Sequence, residues 1–146
     1  AATARVLTAA GFAVVACDDR PGTLTPDWVP GVYDRRLVDY KNLSELCPIG
    51  SRDLVVVATA GHKSDIDVVI QAMRAKPAYL GCLGSRRKTA FVRARLEQEG
   101  FTQERIDELH LPIGVAIQAE DPEEIAISIA AEMIHLRRTK LVPRKR

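Results

Sequence analysis

Three consecutive cations follow a glycine and a serine in the stretch Gly84-Ser85-Arg86-Arg87-Lys88. Backbone amides at such a turn, together with two arginine forks, are well suited to holding a phosphate. Three positive side chains in the first turn of a helix oppose its dipole unless an anion or an acidic partner compensates them. The spacing differs from that of a Walker loop. The stretch therefore predicts an anion site or a contact with an acidic partner.

A second group of donors occurs in the stretch Thr59–Asp65, where Gly61, His62 and Lys63 are adjacent. A glycine permits close approach of a ligand to the backbone, and the helix expected behind it, capped by Ser64, favours an anion at its N-terminus. The ordinary pKa of an imidazole, the side chain that His62 brings, lies near neutral pH. A histidine in a loop is also commonly just solvated, so both interpretations of His62 stay open.

Two carboxylates, Asp18 and Asp19, follow the first apolar run of the chain. In Rossmann folds an acidic residue at the end of a strand binds the ribose hydroxyls of a dinucleotide. The glycine-rich phosphate loop of such a fold would precede Ala1 and is not in the sequence. Two interpretations remain open: a nucleotide contact, as in NAD(P) binding, or an acidic loop that caps a strand.

Short apolar runs alternate with helical stretches along the chain. Helices are predicted at the start of the chain, at a short turn in residues 43–46, and behind Ser64, Ser85, Thr102 and Asp121; strands are predicted over residues 13–17, 32–38, 53–59, 78–83 and 112–117. Apolar strands that do not alternate and that are separated by helices indicate a parallel sheet covered on both faces. The predicted fold is an α/β, Rossmann-like doubly wound parallel sheet, lacking its first strand and Gly-rich loop in this sequence.

The predicted topology brings the two groups of donors together. Strands 53–59 and 78–83 are expected to be parallel neighbours about 4.8 Å apart, so that their trailing loops emerge side by side. Ser85, Arg86 and Arg87 would then form one anion site with the Gly61-His62-Lys63 loop, and Lys88 would add a further cation. Binding sites of such sheets lie outside the carboxyl ends of the strands.

The strand order of a Rossmann sheet places the first strand between the runs at residues 13–17 and 53–59. An empty slot there would leave buried backbone groups unpaired, at a cost of about 1–3 kcal/mol each. We expect upstream sequence or a segment of another chain to fill it. Near the last predicted strand, Gly114 indicates a close backbone approach.

The 146 residues, 47% hydrophobic and 27% charged, fit one soluble globular domain. Apolar runs such as Leu54–Ala58 and the largely apolar run Ile125–Ala131 are far shorter than the roughly 20 residues of a membrane helix. No nucleophile elbow, HExxH motif or carboxylate pair is found, so no catalytic residue is predicted.

Three widely spaced cysteines, Cys17, Cys47 and Cys82, form no zinc-type pattern and suit a reducing cytoplasm. No metal ligand is therefore predicted. The last ten residues hold six of the 21 basic side chains without an interleaved aromatic residue, so nucleic-acid binding is not expected. We expect a domain over residues 1–136 and a basic tail over residues 137–146.

Two long blocks of the sequence resemble the xanthine dehydrogenase accessory factor family, XdhC-like or CoxI-like. One is Tyr79–Lys88, which reads YLGCLGSRRK; the other runs from Leu111-Pro112-Ile113-Gly114 to the stretch DPEEIAISIAAE, residues 121–132. Shorter similarities occur at Asp18-Asp19-Arg20-Pro21 and at Thr59–Asp65, where Ala60 replaces the arginine of the family's variant motif. The resemblance covers nearly the whole chain and corresponds to the Rossmann-like C-terminal domain of the family.

The resemblance implies an accessory protein rather than a hydroxylase. Members are expected to bind the molybdenum cofactor, a molybdopterin, and to help insert it into a xanthine dehydrogenase-type molybdenum hydroxylase. The cofactor-binding residues implied here are those at the strand ends: Asp18, Asp19, Gly61, His62, Lys63, Gly84, Ser85, Arg86, Arg87, Pro112 and Gly114. A homodimer in the cytoplasm is expected. The alternatives are an NAD(P)-binding oxidoreductase domain and a structural dimerisation module.

Overall fold

The computed structural model describes residues 1–141, apart from the side chain of His62. The helices and strands follow one another in the order α1 (Ala2–Ala9), β1 (Val15–Asp18), β2 (Asp34–Leu37), α2 (Leu43–Leu46), β3 (Leu54–Val57), α3 (His62–Ala75), β4 (Tyr79–Cys82), α4 (Arg86–Gln98), α5 (Gln103–Asp107) and α6 (Pro122–Leu136). The chain divides into two compact units: the first combines Ala1–Leu37 with the residues from Gly114 onward, and the second is Val38–Ile113.

In the first unit, β1 and β2 form a parallel pair that runs from Val15 opposite Asp34 to Asp18 opposite Leu37. Helix α1 packs along α6, and Leu7 and Ile129 are buried in the core of this unit. Helix α6 starts as predicted, because Asp121 occupies the N-cap position, Pro122 follows it, and the Glu124 carboxylate accepts the Asp121 amide at 3.2 Å.

In the second unit, β3 and β4 are parallel neighbours, from Leu54 opposite Tyr79 to Val57 opposite Cys82. On the other side of β4, His110 forms a single bridge with Gly81. All four residues of β4 are buried because this strand has a neighbour on each side, whereas most of β3 is half-buried at the edge of the sheet. The predicted pairing of these two strands is confirmed.

Two predicted elements are wrong. Residues 112–117 form no strand: the Ile113 amide still donates to the Cys82 carbonyl at 3.0 Å, but Gly114 has a φ of +97°, which turns the chain away from the strand direction. Ser64 does not cap α3, because the helix already begins at His62 with Gly61 as its N-cap. The local sequence is compatible with an N-cap at Gly61 or at Ser64. In the structure Gly61 has the extended backbone conformation of an N-cap, so the helix begins at the earlier position.

The described residues form two two-stranded parallel sheets, β1–β2 and β3–β4. The strand expected between these pairs stays a prediction. The predicted basic tail is described as far as Leu141. Its first residue, Arg137, donates to the Ala10 carbonyl at 3.2 Å and lies 4.1 Å from the centre of the Phe12 ring. Arg137 is therefore packed within the first unit, against the end of α1 and the residues that follow it.

Candidate anion-binding site

Two strand–helix junctions lie at the carboxyl end of the β3–β4 pair. Gly61 is the N-cap of α3 and brings no side chain that could satisfy the free amides of the first turn. Ser85 is the N-cap of α4, and its hydroxyl accepts the Lys88 amide at 3.3 Å, as the sequence predicts. Because β3 and β4 are parallel neighbours, both helices begin at the same end of the sheet.

A buried ion pair joins the two junctions. Asp65, in the first turn of α3, is 1% exposed, and its carboxylate contacts the ammonium group of Lys88, in the first turn of α4. The Lys88 side chain is 8% exposed, and its Nζ also donates to the Leu83 carbonyl at 2.5 Å. The other carboxylate oxygen of Asp65 accepts the Thr59 amide at 2.8 Å and lies 2.7 Å from the Thr59 hydroxyl.

Gly84 makes room for this pair. A β-carbon at Gly84 would lie 2.7 Å from Cδ and 3.1 Å from Cγ of Lys88. The lysine stem therefore passes directly over the glycine on its way to Asp65. Since both ends of the stem are held, by the helix and by the ion pair, the side chain has little freedom to move aside. A glycine at position 84 therefore leaves the space that the Lys88 side chain needs to reach Asp65.

The exposed cations of the two junctions are Lys63, Arg86 and Arg87. Within residues 1–141 none of the three forms an ion pair. The expectation that Lys88 adds a free cation is wrong, because Asp65 neutralises it. The side chain of His62 lies outside the described residues, so its contribution stays a prediction. The two junctions that the sequence predicts as one site are thus joined through Asp65 and Lys88.

Asp65 is the residue that sequence reasoning missed. Its signal lay in the helical period: Asp65, Val69 and Ala72 are spaced i, i+4 and i+7, so the carboxylate lies on the apolar face of α3. All three are at most 1% exposed. A charge at such a position needs a buried partner. The sequence offers several cations, and only the fold identifies Lys88 as the one that reaches Asp65.

Asp18 and Asp19 lie at the end of β1, in the first unit. The Asp18 carboxylate accepts the Arg20 amide at 2.9 Å and the Arg20 guanidinium at 3.0 and 3.1 Å. Partial burial acts to raise the pKa of Asp18, but hydrogen bonds from Arg20 and Thr23, together with the charge of Arg20, outweigh it and hold that pKa below its ordinary value. Asp19 is exposed, 3.8 Å from Arg20 Nε. Asp18 is thus a carboxylate that stays ionised with a cation already beside it.

Pro112 and Gly114 mark the turn that follows His110. Pro112 is exposed and joined to Leu111 by a cis peptide bond. Gly114 is pressed against α6, since a β-carbon there would lie 2.1 Å from Ser128 Oγ. The predicted close approach at Gly114 is confirmed, and its partner is a helix of the protein itself. A contact of either residue with a ligand stays a prediction.

The described side chains of the site include neither a reactive thiol nor a metal cluster. Burial raises the pKa of the Cys82 thiol to about 11, and the nearby Asp65 carboxylate adds to the rise, so the thiol stays protonated at neutral pH. Residues 1–141, leaving out the His62 side chain, contain no group of three or more histidine, cysteine, aspartate or glutamate side chains able to hold a metal ion. None of the helices in that range has the length and apolar character of a membrane span.

One family model and several known proteins are similar to this chain. A family model described as the XdhC Rossmann domain matches residues 1–133. The molybdenum cofactor insertion chaperone PaoD of Escherichia coli K12 is 29% identical over 105 residues, which is 72% of this chain and 33% of that protein. A probable xanthine dehydrogenase subunit of Bacillus subtilis 168 is 30% identical over 130 residues, which is 88% of this chain and 37% of that protein.

A crystal structure described as a xanthine dehydrogenase from Bacillus halodurans superposes with a TM-score of 0.82 at 27% identity, covering 99% of this chain and 41% of that one. The chain thus spans less than half the length of these relatives. The family match and the structural likeness confirm the resemblance inferred from the sequence and the Rossmann-like α/β fold class.

Proposed function

Because the chain belongs to the XdhC Rossmann domain family, we propose that it binds the molybdenum cofactor and assists its insertion into a xanthine dehydrogenase-type molybdenum hydroxylase. The observation that carries the proposal is the pair of joined strand–helix junctions, with three exposed cations at the helix starts. The name of the PaoD relative supports the cofactor, and that of the Bacillus subtilis relative supports the class of partner enzyme.

The residues fit the anionic end of such a cofactor. When bound, the cofactor would carry the molybdenum chemistry for the partner enzyme, while its phosphate needs only donors and positive charge from this chain. Arg86 and Arg87 offer planar forks that match phosphate oxygens, and Lys63 offers a point charge. The amides in the first turns of α3 and α4 add fixed partial positive charge. Gly61 leaves the backbone of α3 open to the ligand.

We predict that the double variant Arg86→Ala/Arg87→Ala binds the molybdenum cofactor at least tenfold more weakly at low ionic strength. The loss should shrink as salt is added, because screening weakens the wild-type attraction. Thermal stability without ligand should be unchanged or higher, since like charges at a helix start are removed. Titration of the full-length protein with cofactor at two salt concentrations measures the affinities, and thermal denaturation without ligand measures the stability.

The matched control is Arg93→Ala/Arg95→Ala, which removes the same charge further along α4. These two side chains pair with Asp107 and Glu99 on the surface, where such pairs contribute little stability. The control should bind cofactor as the wild type does. Unchanged affinity of Arg86→Ala/Arg87→Ala, together with a lower thermal stability, would instead mean that these arginines serve the fold.

Asp18 and Asp19 support a second candidate function, in which the ligand carries a nucleotide, as in NAD(P) binding or in a dinucleotide form of the cofactor. Both carboxylates stand at the carboxyl end of a parallel strand, where ribose hydroxyls bind in Rossmann folds. A carboxylate has acceptor sites for several donors, so Asp18 can hold Arg20 and still accept a hydroxyl.

We predict that Asp18→Ala and Asp19→Ala each weaken binding of a nucleotide-bearing ligand several-fold and leave the bare molybdopterin form nearly unaffected. The reason is that only the nucleotide presents ribose hydroxyls to these carboxylates. Calorimetric titrations with the bare cofactor, its dinucleotide form and NAD(P) make the comparison. Equal losses for all ligands would show that the two residues act on folding.

The proposal extends to the assembly and the compartment. The partner is a molybdenum hydroxylase, the chain acts as a homodimer, and it works in the reducing cytoplasm that its scattered cysteines suit. The acidic side chains of the partner would compete for the same cations as the cofactor. Co-purification of the full-length protein with its hydroxylase, in the presence and absence of cofactor, tests the proposed partner and this competition.

A further inference from the structure

The Asp65–Lys88 pair connects parts of the chain that are remote in sequence. On one side it holds Thr59, at the end of β3, and the first turn of α3. On the other it holds Leu83, at the end of β4, and the first turn of α4. The starting points of both helices are therefore fixed by one buried contact.

This pair offers little to a ligand by itself. Its two charges cancel, so it exerts no net attraction on an anion. Both side chains are also buried, at 1% for Asp65 and 8% for the Lys88 side chain. Buried ion pairs are often no more stabilising than apolar residues of the same volume. Unlike an apolar contact, the pair is directional, because a carboxylate and an ammonium group must point at their hydrogen-bond partners. It therefore restricts the relative positions of the two helix starts.

We infer that Asp65 and Lys88 are positioning residues that hold the two junctions in the arrangement needed to bind one phosphate-bearing ligand. The inference rests on the proposed function, since it assigns the contacts with the ligand to Lys63, Arg86 and Arg87. Thr59 contributes to this positioning, because its amide and hydroxyl both orient the Asp65 carboxylate. Gly84 contributes as well, because the absence of a side chain there leaves room for the methylene groups of Lys88.

The competing possibility is that Lys88 leaves Asp65 and contacts the ligand directly. The two possibilities predict opposite effects for Asp65→Asn. If Lys88 were a direct ligand contact, removing the carboxylate would free it and add net positive charge, so the ligand would bind more tightly. If the pair acts by positioning, Asp65→Asn loosens the junctions and the ligand binds more weakly, despite the added charge.

The decisive variant is Asp65→Asn/Lys88→Met, which removes both charges and leaves the net charge of the site unchanged. We expect this variant of the full-length protein to bind the molybdenum cofactor at least tenfold more weakly, with the same salt dependence as the wild type. Arg86→Ala/Arg87→Ala should instead reduce the salt dependence. The matched control for Asp65→Asn/Lys88→Met is Arg93→Met/Asp107→Asn, which neutralises an exposed ion pair in the same unit. This control should bind the cofactor with wild-type affinity.

Tighter binding by Asp65→Asn, or wild-type affinity in Asp65→Asn/Lys88→Met, would overturn the inference. Should the double variant fail to fold, Thr59→Val provides the second test. It removes the hydroxyl that lies beside Asp65 and 2.9 Å from the Gly61 carbonyl oxygen, and it keeps both charges. We expect it to weaken cofactor binding about threefold. Wild-type affinity in a folded Thr59→Val would then overturn the inference.

Amide hydrogen exchange of the unliganded protein separates this inference from the proposed function. We expect exchange in residues 58–61 and 84–87 to be at least tenfold faster in Asp65→Asn/Lys88→Met, or in Thr59→Val if that variant is used, while exchange in β4 is unchanged. Unchanged exchange in both junctions would overturn the positioning role. A wild-type protein that binds no cofactor would overturn the proposed function, and the exchange result would still decide the role of the pair.

Discussion

Replacing Lys88 with methionine is expected to lower the free energy of unfolding by about 3–5 kcal/mol, because the Asp65 carboxylate would be left buried without its partner. Asp65 is 1% exposed, so water cannot take the place of the ammonium group. The Thr59 amide and hydroxyl would remain as hydrogen-bond donors, but they carry no compensating charge. Urea denaturation of wild type and variant with a common m-value measures the difference.

The control for this prediction is the pairwise replacement Asp65→Asn/Lys88→Met. Methionine covers the path over Gly84 with an apolar stem of similar length, and asparagine keeps an acceptor for Thr59. We expect the double variant to recover most of the lost stability, to within about 1–2 kcal/mol of the wild type. A loss in the double variant as large as the sum of the single losses would contradict the buried-charge explanation.

Replacing Gly114 with alanine is expected to cost roughly 2–5 kcal/mol of stability. Two effects combine: the φ of +97° strains any residue with a β-carbon, by about 1–2 kcal/mol, and overpacking adds about 1–3 kcal/mol. The new carbon would lie 2.1 Å from Ser128 Oγ and 3.3 Å from the Ile129 nitrogen, on a helix that is itself packed in the core of the first unit. Thermal and urea denaturation both report the loss.

Gly100 separates the two effects. It has a similar φ of +88°, but a β-carbon there meets nothing within 4 Å. Gly100→Ala should therefore show only the conformational cost, about 1–2 kcal/mol. Adding Ser128→Ala to Gly114→Ala should recover part of the loss, because it removes the nearest atom. Equal losses at Gly100 and Gly114 would rule out the contact with Ser128 as a cause.

Local signals in the sequence determined most of the elements. Ser85, Thr102 and Asp121 were predicted as helix starts, and each occupies an N-cap position. These predictions hold because capping depends on a few neighbouring residues and on little else. The parallel pairing of β3 and β4 was predicted from the apolar, non-alternating runs and the helix between them. The blocks around Tyr79–Lys88 and residues 111–132 likewise identified the family without any coordinates.

Elements that depend on distant partners were predicted less well. The apolar run at residues 112–117 has the composition of a strand, but Gly114 adopts a left-handed conformation against α6 and ends the pairing after Ile113. The N-terminus of α3 was misplaced by three residues, since Gly61 and Ser64 are both acceptable helix starts. The turn at Gly114 depends on packing against a remote helix, and the start of α3 on a backbone conformation at Gly61 that either start would have allowed; composition and period encode neither.

The sequence by itself determined the fold class, the family and which loops carry the cations, because hydrophobic period, capping residues and motif spacing are properties of short stretches. Only the tertiary structure decided which charges are available. Three consecutive cations look equivalent in the sequence: Arg86, Arg87 and Lys88. Lys88 nevertheless forms a buried ion pair with Asp65, 23 positions away, while the two arginines stay exposed. The physical reason is that a buried charge is tolerated only beside an opposite one, and which groups meet is settled by the parallel pairing of β3 with β4.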